Sequence, residues 1–329
     1  MQTRPLGRTG FDIAPLVLGG NVFGWTCDAA QSFRVLDAFV AHGFNLIDTA
    51  DVYSRWAPGN RGGESETIIG EWIRRRGRHD DVLIATKVGS DMGLGQVCLR
   101  RDYILAAVED SLRRLRIDCI DLYQSHWVDK DTPADETLSA FQTLIEQGKV
   151  RAIGASNHRA SRLLDALEVA QLHGLPAYQT LQPPYNLMQR GEFEGELQAL
   201  CRKEGMGVIS YYGLASGFLT GKYRSARDAA GRARGDAVQQ YLAAPQADAV
   251  LATLDRLADK HAATPAQVAL AWIMAQPGIT APIASATSSA QLEELAGAAT
   301  LALDADDLAA LDAASTPPSA PSAPSDSGA

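Results

Sequence analysis

Asp48, Tyr53, Lys87 and His126 have the side-chain types needed to hand a proton to a reacting oxygen. A carbonyl carbon that accepts a hydride leaves an alkoxide, and a phenol can protonate it. Tyrosine alone is a weak acid near neutrality, with an unperturbed pKa of about 10. An ammonium beside it stabilises the phenolate, so Lys87 is expected to bring Tyr53 down toward neutral pH. Asp48 is expected to hold Lys87 and to limit the cost of desolvating it. His126 is expected to donate a hydrogen bond to the carbonyl oxygen and orient it. The same lysine admits a different chemistry, a Schiff base with a carbonyl substrate as in an aldolase. Taken singly, each residue has an ordinary structural reading, as a cap, a surface lysine or a packed aromatic. Only their convergence makes a site.

Convergence requires elements that end near one another. Eight short, nearly continuous apolar runs read as parallel strands covered on both faces: Leu16–Gly19, Phe44–Asp48, Val82–Lys87, Cys119–His126, Val150–Ser156, Ala177–Gln182, Gly207–Tyr211 and Ile279–Ser285. Amphipathic stretches lie between them, such as the one carrying Ile104, Leu105, Val108, Leu112 and Leu115 at helical spacing. Gly43, Gly148, Gly174 and Gly205 follow such stretches, where a left-handed residue ends a helix. Strand–helix alternation fits a closed barrel or an open doubly wound sheet. The count of eight favours the α/β class of (β/α)8 TIM barrels, and no strand runs into a G-x-G-x-x-G fingerprint. Gly93-Leu94-Gly95 is only a fragment of that fingerprint and reads as a surface loop. In such a barrel the strand C-termini share one mouth, and Asp48, Lys87 and His126 end the second, third and fourth strands. Tyr53 would reach in from the loop after Asp48.

Arg4 to Ile13 reads as an N-terminal β-hairpin that would plug the barrel bottom. Gly213 to Pro245, after the seventh strand, reads as a long irregular insertion of the kind that is usually functional. Residues 1–314 form the barrel in this reading, and 315–329, rich in Pro, Ser and Ala, a disordered tail.

Composition narrows the class. Hydrophobic residues make up 46% and charged residues 21%, enough for a large core. A net charge of −9 without a basic stripe argues against nucleic acid, and an anionic ligand would need a local cationic pocket. The four cysteines form no C-x-x-C pair, so neither a metal site nor a disulfide framework is expected. No apolar run approaches the ~18–20 residues that span a bilayer. With no apolar segment near Met1, a cytoplasmic location is expected. Oligomeric state is not legible.

These motifs resemble the aldo-keto reductase superfamily over nearly the whole chain up to the tail. Ile47-Asp48-Thr49-Ala50-Asp51-Val52-Tyr53 is similar to its D-T-A-x-x-Y signature, and Asp48, Tyr53, Lys87 and His126 match its catalytic tetrad. Gly154-Ala155-Ser156-Asn157 is similar to its G-x-S-N element. The resemblance implies NAD(P)H-dependent reduction of a small aldehyde or ketone. It assigns Ser156, Asn157 and Gln182 to the nicotinamide carboxamide and Tyr211 to stacking on the ring. It assigns Gly213, Leu214, Ala215, Ser216, Gly217 and Lys222 to the pyrophosphate, with Arg234 reaching the cofactor as well. Ser285, Thr287, Ser288, Gln291 and Glu294 fall in the adenosine-phosphate segment. Many relatives carry Lys or Arg where Ser288 stands, so NADP(H) is expected by a modest margin, with NAD(H) left open. Trp25, Trp56 and Trp127 would wall the substrate pocket. A cofactor-binding, non-enzymatic subunit, like the channel-associated members of the superfamily, remains a third reading beside the reductase and the Schiff-base enzyme.

Overall fold

The computed structural model describes residues 2–316. A two-stranded antiparallel hairpin, β1 (Arg4–Pro5) with β2 (Asp12–Ile13), opens the chain. Eight parallel strands then close into a barrel: β3 (Val17–Gly19), β4 (Leu46–Asp48), β5 (Leu83–Val88), β6 (Ile120–Ser125), β7 (Val150–Ser156), β8 (Thr180–Gln182), β9 (Gly207–Ser210) and β10 (Ala281–Ala284). The barrel predicted from the sequence is therefore the one observed. Its strands are mostly shorter than the apolar runs, because the flanking residues pack without joining the ladder. Tyr211, for instance, lies beyond β9 in an isolated bridge to Pro184.

Helices follow each barrel strand: α1 (Ala29–Ala41), α2 (Glu64–Arg76), α3 (Arg101–Leu115), α4 (Ala134–Glu146), α5 (Ala160–His173) and α6 (Glu196–Lys203). After β9 come α7 (Ala226–Ala229), α8 (Gly235–Leu242), α9 (Ala247–His261) and α10 (Pro265–Ala275), and after β10 come α11 (Ser289–Gly297) and α12 (Ala305–Ser315). Local chemistry fixes their ends. Asp28–Gln31 and Thr264–Gln267 form reciprocal capping boxes at α1 and α10, the latter with Pro265 at the first helical position. In α2, Glu64 and Glu66 sit in the first turn and Arg74, Arg75 and Arg76 in the last, matching the helix dipole.

Two expectations change here. Gly213 to Pro245 is not irregular: it holds a 3-10 segment, Ala215–Thr220, as well as α7 and α8, with Phe218, Leu219, Ala229 and Val238 buried. Its apolar residues are few, but each has a core to enter. Ser315 belongs to α12 rather than to a tail, its buried hydroxyl donating to the Leu311 carbonyl. The rest of the expected tail, from residue 317, lies outside the described residues.

Two apolar clusters divide the interior. The larger fills the layer between barrel and helices. The smaller lies inside the barrel, where Leu6, Phe11 and Ile13 of the hairpin pack against Val17, Leu46, Ala85, Leu122, Ala152 and Ile209 from the strands. The hairpin thus plugs the bottom, as expected, and Gly7 makes this possible. A Cβ there would stand 2.3 Å from the Gly207 backbone nitrogen. With the bottom sealed by apolar side chains, the polar strand ends open only at the opposite mouth.

Candidate active site

Register brings the tetrad together. Asp48, last in β4, pairs with Ala85 of β5, and Lys87, two residues on, pairs with Gln124 of β6. Alternate residues share a face, so Lys87 points inward as Ala85 does. Its side chain is fully buried, and its ammonium donates to three oxygens: Asp48 Oδ2 at 2.7 Å, the Thr49 carbonyl at 2.8 Å and Tyr53 Oη at 2.8 Å. An ammonium has three protons, so all are used. Gln182 Nε2 donates to the other Asp48 oxygen at 2.8 Å, which fixes the carboxylate from β8. Gln124 lies 3.4 Å from the same oxygen.

With Lys87 donating to its oxygen, the Tyr53 hydroxyl proton must go elsewhere. Asp48 Oδ2 is its one acceptor among the described residues, at 3.3 Å. That is long for an O–H···O bond, so the proton is loosely held and available to a ligand in the cleft. Burial, followed by the charge of Asp48, pushes the Tyr53 phenol well above its ordinary pKa. This corrects the expectation that Lys87 would bring it down toward neutrality. Lys87, itself lowered by burial against the opposing charge of Asp48, still donates to the Tyr53 oxygen, but burial of the phenol and the Asp48 charge set the direction. Tyr53 therefore stands as a loaded phenol rather than a half-ionised one.

His126 lies just beyond β6, with its backbone N–H donating to the Val88 carbonyl at 2.8 Å. Burial, then the Lys87 charge, holds its pKa well below the usual value, so the imidazole is neutral. Its carbonyl accepts from Asn157 Nδ2 at 2.9 Å. Asn157 in turn binds Ser156 Oγ and accepts from Tyr211 Oη at 2.7 Å, while Ser156 Oγ donates to the Gln182 carbonyl. Ser156, Asn157, Gln182 and Tyr211 are thus one connected network beside the tetrad.

A cleft of about 1050 Å³ opens over these groups. Asp48, Tyr53, His126, Ser156, Asn157, Gln182 and Tyr211 line it. So do Gly213, Leu214, Ser216, Gly217, Lys222, Arg234, Ser285, Thr287, Gln291 and Glu294. Three expected residues do not. Lys87 lies beneath the floor, and Ala215 is buried behind the loop. Ser288 is exposed at the start of α11, where its hydroxyl accepts from the Gln291 N–H as the helix cap. Trp25, Trp56 and Trp127 share the mouth: the rings of Trp25 and Trp56 meet edge to face at 5.6 Å, and Trp127 lies nearly parallel to His126 at 6.0 Å. Trp56 and Trp127 remain 49% and 45% exposed, an apolar surface left for a ligand.

Other residues of the site went unread in the sequence. Gln124, on β6 beside Asp48 and Gln182 but not in the cleft lining, was findable, because it stands two before His126. Ser90, Asn21 and Arg232 carry no motif, and only the fold brings them to the cleft.

Part of the cleft lining suits an anion. Lys222, Arg232 and Arg234 are among the lining residues and none forms an ion pair with a described residue, Arg234 instead standing over the Trp25 ring at 5.6 Å. Tyr212, Ala215, Ser216 and Gly217 all have positive φ, at 59°, 46°, 58° and 95°. Such left-handed steps turn successive backbone N–H groups toward one concave side, where anions bind. For non-glycine residues this conformation is uncommon and persists only where the surroundings hold it.

Three cations without ion-pair partners among the described residues and a phenol held by a lysine thus line one cleft at the mouth of a closed barrel. The model of the aldo/keto reductase family matches residues 15–316, and the chain belongs to that family. It is 33% identical to "Protein tas" of Escherichia coli, over 95% of this chain and 97% of that one. It is 35% identical to "Uncharacterized oxidoreductase YrpG" of Bacillus subtilis, over 92% and 93% of the two chains. It is also 32% identical to "Probable voltage-gated potassium channel subunit beta" of Arabidopsis thaliana, over 89% and 90%. The family uses nicotinamide cofactors, and the unpaired cations and left-handed loop fit such a group. No helix among the described residues is long and apolar enough to cross a membrane.

Proposed function

We propose that this protein reduces an apolar aldehyde or ketone to the alcohol with NADP(H), using Tyr53 as the proton donor. The observation that carries this reading is the Lys87 ammonium, whose three protons go to Asp48, Thr49 and Tyr53 Oη. That arrangement leaves the tyrosine proton free to move and places a cation against the oxygen that becomes a phenolate. A reduced nicotinamide, when bound, supplies the hydride to the carbonyl carbon. The oxygen then takes the Tyr53 proton, Lys87 stabilises the phenolate, and solvent restores the phenol. Neutral His126 orients the carbonyl oxygen from beside Tyr53, their rings 6.0 Å apart.

In this reading Ser156, Asn157 and Gln182 hold the carboxamide and Tyr211 supports the ring. Gly213 to Gly217, Lys222 and Arg234 receive the pyrophosphate. Ser285, Thr287, Ser288, Gln291 and Glu294 flank the adenosine, and Trp25, Trp56 and Trp127 receive the substrate's apolar body. The Schiff-base alternative fits poorly, because Lys87 is buried, ion-paired and outside the cleft lining. A regulatory reading finds support in the relative named as a potassium channel subunit. A panel of aromatic and aliphatic aldehydes, followed by loss of reduced nicotinamide absorbance with each cofactor, separates these. Turnover faster with NADPH, and no borohydride-trapped adduct on Lys87, is the expected result. No turnover with any aldehyde contradicts the reductase.

A further inference from the structure

His126 is neutral, and a neutral imidazole has one N–H and one bare nitrogen. A histidine that must donate to a carbonyl oxygen works in only one of its two tautomers. What engages its second nitrogen therefore decides whether it can act. That partner is Ser90. Its hydroxyl lies 2.9 Å from His126 Nδ1, and no other described side chain bonds either ring nitrogen.

Both directions of this bond are possible in principle, but they leave different remainders. If Nδ1–H donated to Ser90, the serine proton would have no acceptor among the described residues, and Nε2 would be a bare acceptor. Ser90 stands at the cleft wall but is only 5% exposed, so little water reaches its hydroxyl and an unmade bond there carries a penalty. If Ser90 donates to Nδ1, its proton is satisfied and Nε2 carries the imidazole N–H. The backbone is built to hold this contact. Gly89 has φ of 98°, and a Cβ on it would meet Leu99 Cδ2 at 2.5 Å. This left-handed step turns the chain after β5, so that Ser90 comes back over the end of β6. His126 is fixed in turn through Val88 and Asn157 on either side of its peptide.

We propose that Ser90 is a positioning residue: by donating to Nδ1 it holds His126 in the Nε2–H tautomer, the form that can donate to a carbonyl oxygen. The tautomer assignment stands on the Ser90 contact to a neutral imidazole, and its catalytic consequence rests on the reductase reading above. It gives a role to the loop after β5, outside the tetrad.

The test is a ¹⁵N–¹H correlation of the histidine side chains at neutral pH in the full chain. His126 is identified among the six histidines by the signals lost in His126→Gln. The wild type is expected to show His126 as the Nε2–H tautomer. Ser90→Ala should move it toward Nδ1–H and lower kcat by about 10-fold, the scale of one hydrogen bond, with cofactor affinity unchanged. Ser90→Thr, which keeps the hydroxyl, should restore both tautomer and rate. A wild-type His126 in the Nδ1–H form overturns the proposal, as does a Ser90→Ala variant with wild-type tautomer and rate. The tautomer is read without turnover, so absent carbonyl reduction would count against the function proposed above and not against the Ser90–His126 assignment.

Discussion

At the scale of single residues, the site is an exercise in where protons are held. Tyr53 is pushed up by burial and Asp48, and His126 is pushed down by burial and Lys87, so both are neutral through the physiological range. The sign for catalysis follows. Reduction needs phenol and neutral imidazole, and both forms persist from about pH 6 to about pH 9. The kcat for carbonyl reduction is therefore expected to be flat across that window. Alcohol oxidation, which needs the phenolate as base, should rise steadily with pH. A reduction rate that halves on each step from pH 7 to pH 9 would show a phenol already titrating near neutrality. Ser288 is a second residue-scale case. It caps α11, and Ser288→Arg should cost about 1 kcal/mol of stability as the cap is lost. The same change should tighten NADPH more than NADH, because a charge-assisted bond to the 2′-phosphate is stronger than a neutral one. Equal tightening of both, measured by quenching of intrinsic fluorescence, would mean that position 288 does not face that phosphate.

At the scale of elements, a second charged cluster lies behind the tetrad. The Asp51 peptide N–H donates to the Lys87 carbonyl, and its carboxyl group is buried with Oδ1 lacking a hydrogen-bond partner. Glu66 of α2, fully buried, accepts from Thr86 on β5 and pairs with Arg114 of α3. Burial and the neighbouring Glu66 push Asp51 up to about 8, against relief from Arg114 and Lys87. The folded state thus binds the Asp51 proton more tightly than the unfolded state does. Its stabilising share is complete below the ordinary carboxyl pKa of about 4 and is lost as pH rises through about 8. Asp51→Asn keeps the shape without the ionisation. The Tm of Asp51→Asn minus that of wild type should therefore grow from pH 5 to pH 8; a difference that stays constant or shrinks would contradict the assignment. This cluster was only half legible in the sequence. Asp51 stands inside a motif, but nothing in the chain announces that Glu66 and Arg114 meet behind it. Such contacts between α2 and α3 depend on helix packing, which periodicity does not specify.

At the scale of the whole molecule, the barrel separates stability from function along one axis. Leu6, Phe11 and Ile13 close the bottom, and the polar strand ends face the other way. That division was legible because a parallel strand buried on both faces reads as an unbroken apolar run, and polar residues at its end stand out. The tetrad and the network of Ser156, Asn157, Gln182 and Tyr211 sit at or just beyond such ends. The segment from Gly213 to Pro245 was less legible, since its helices are short and its apolar residues sparse, so their order comes from the surface they pack against. The direction of the Tyr53 shift was not legible either. It depends on how deeply the phenol is buried and how near Asp48 comes to it, which is a matter of ångströms. The central question is whether this barrel turns over a carbonyl through Tyr53 or only holds a dinucleotide. Comparing wild type with Tyr53→Phe in single-turnover reduction, with NADPH affinity measured alongside, answers it most directly. The account predicts a chemical step slowed by ~10²-fold or more, the scale of lost general-acid catalysis, with affinity nearly intact. A Tyr53→Phe variant that reduces aldehydes at the wild-type rate would contradict it.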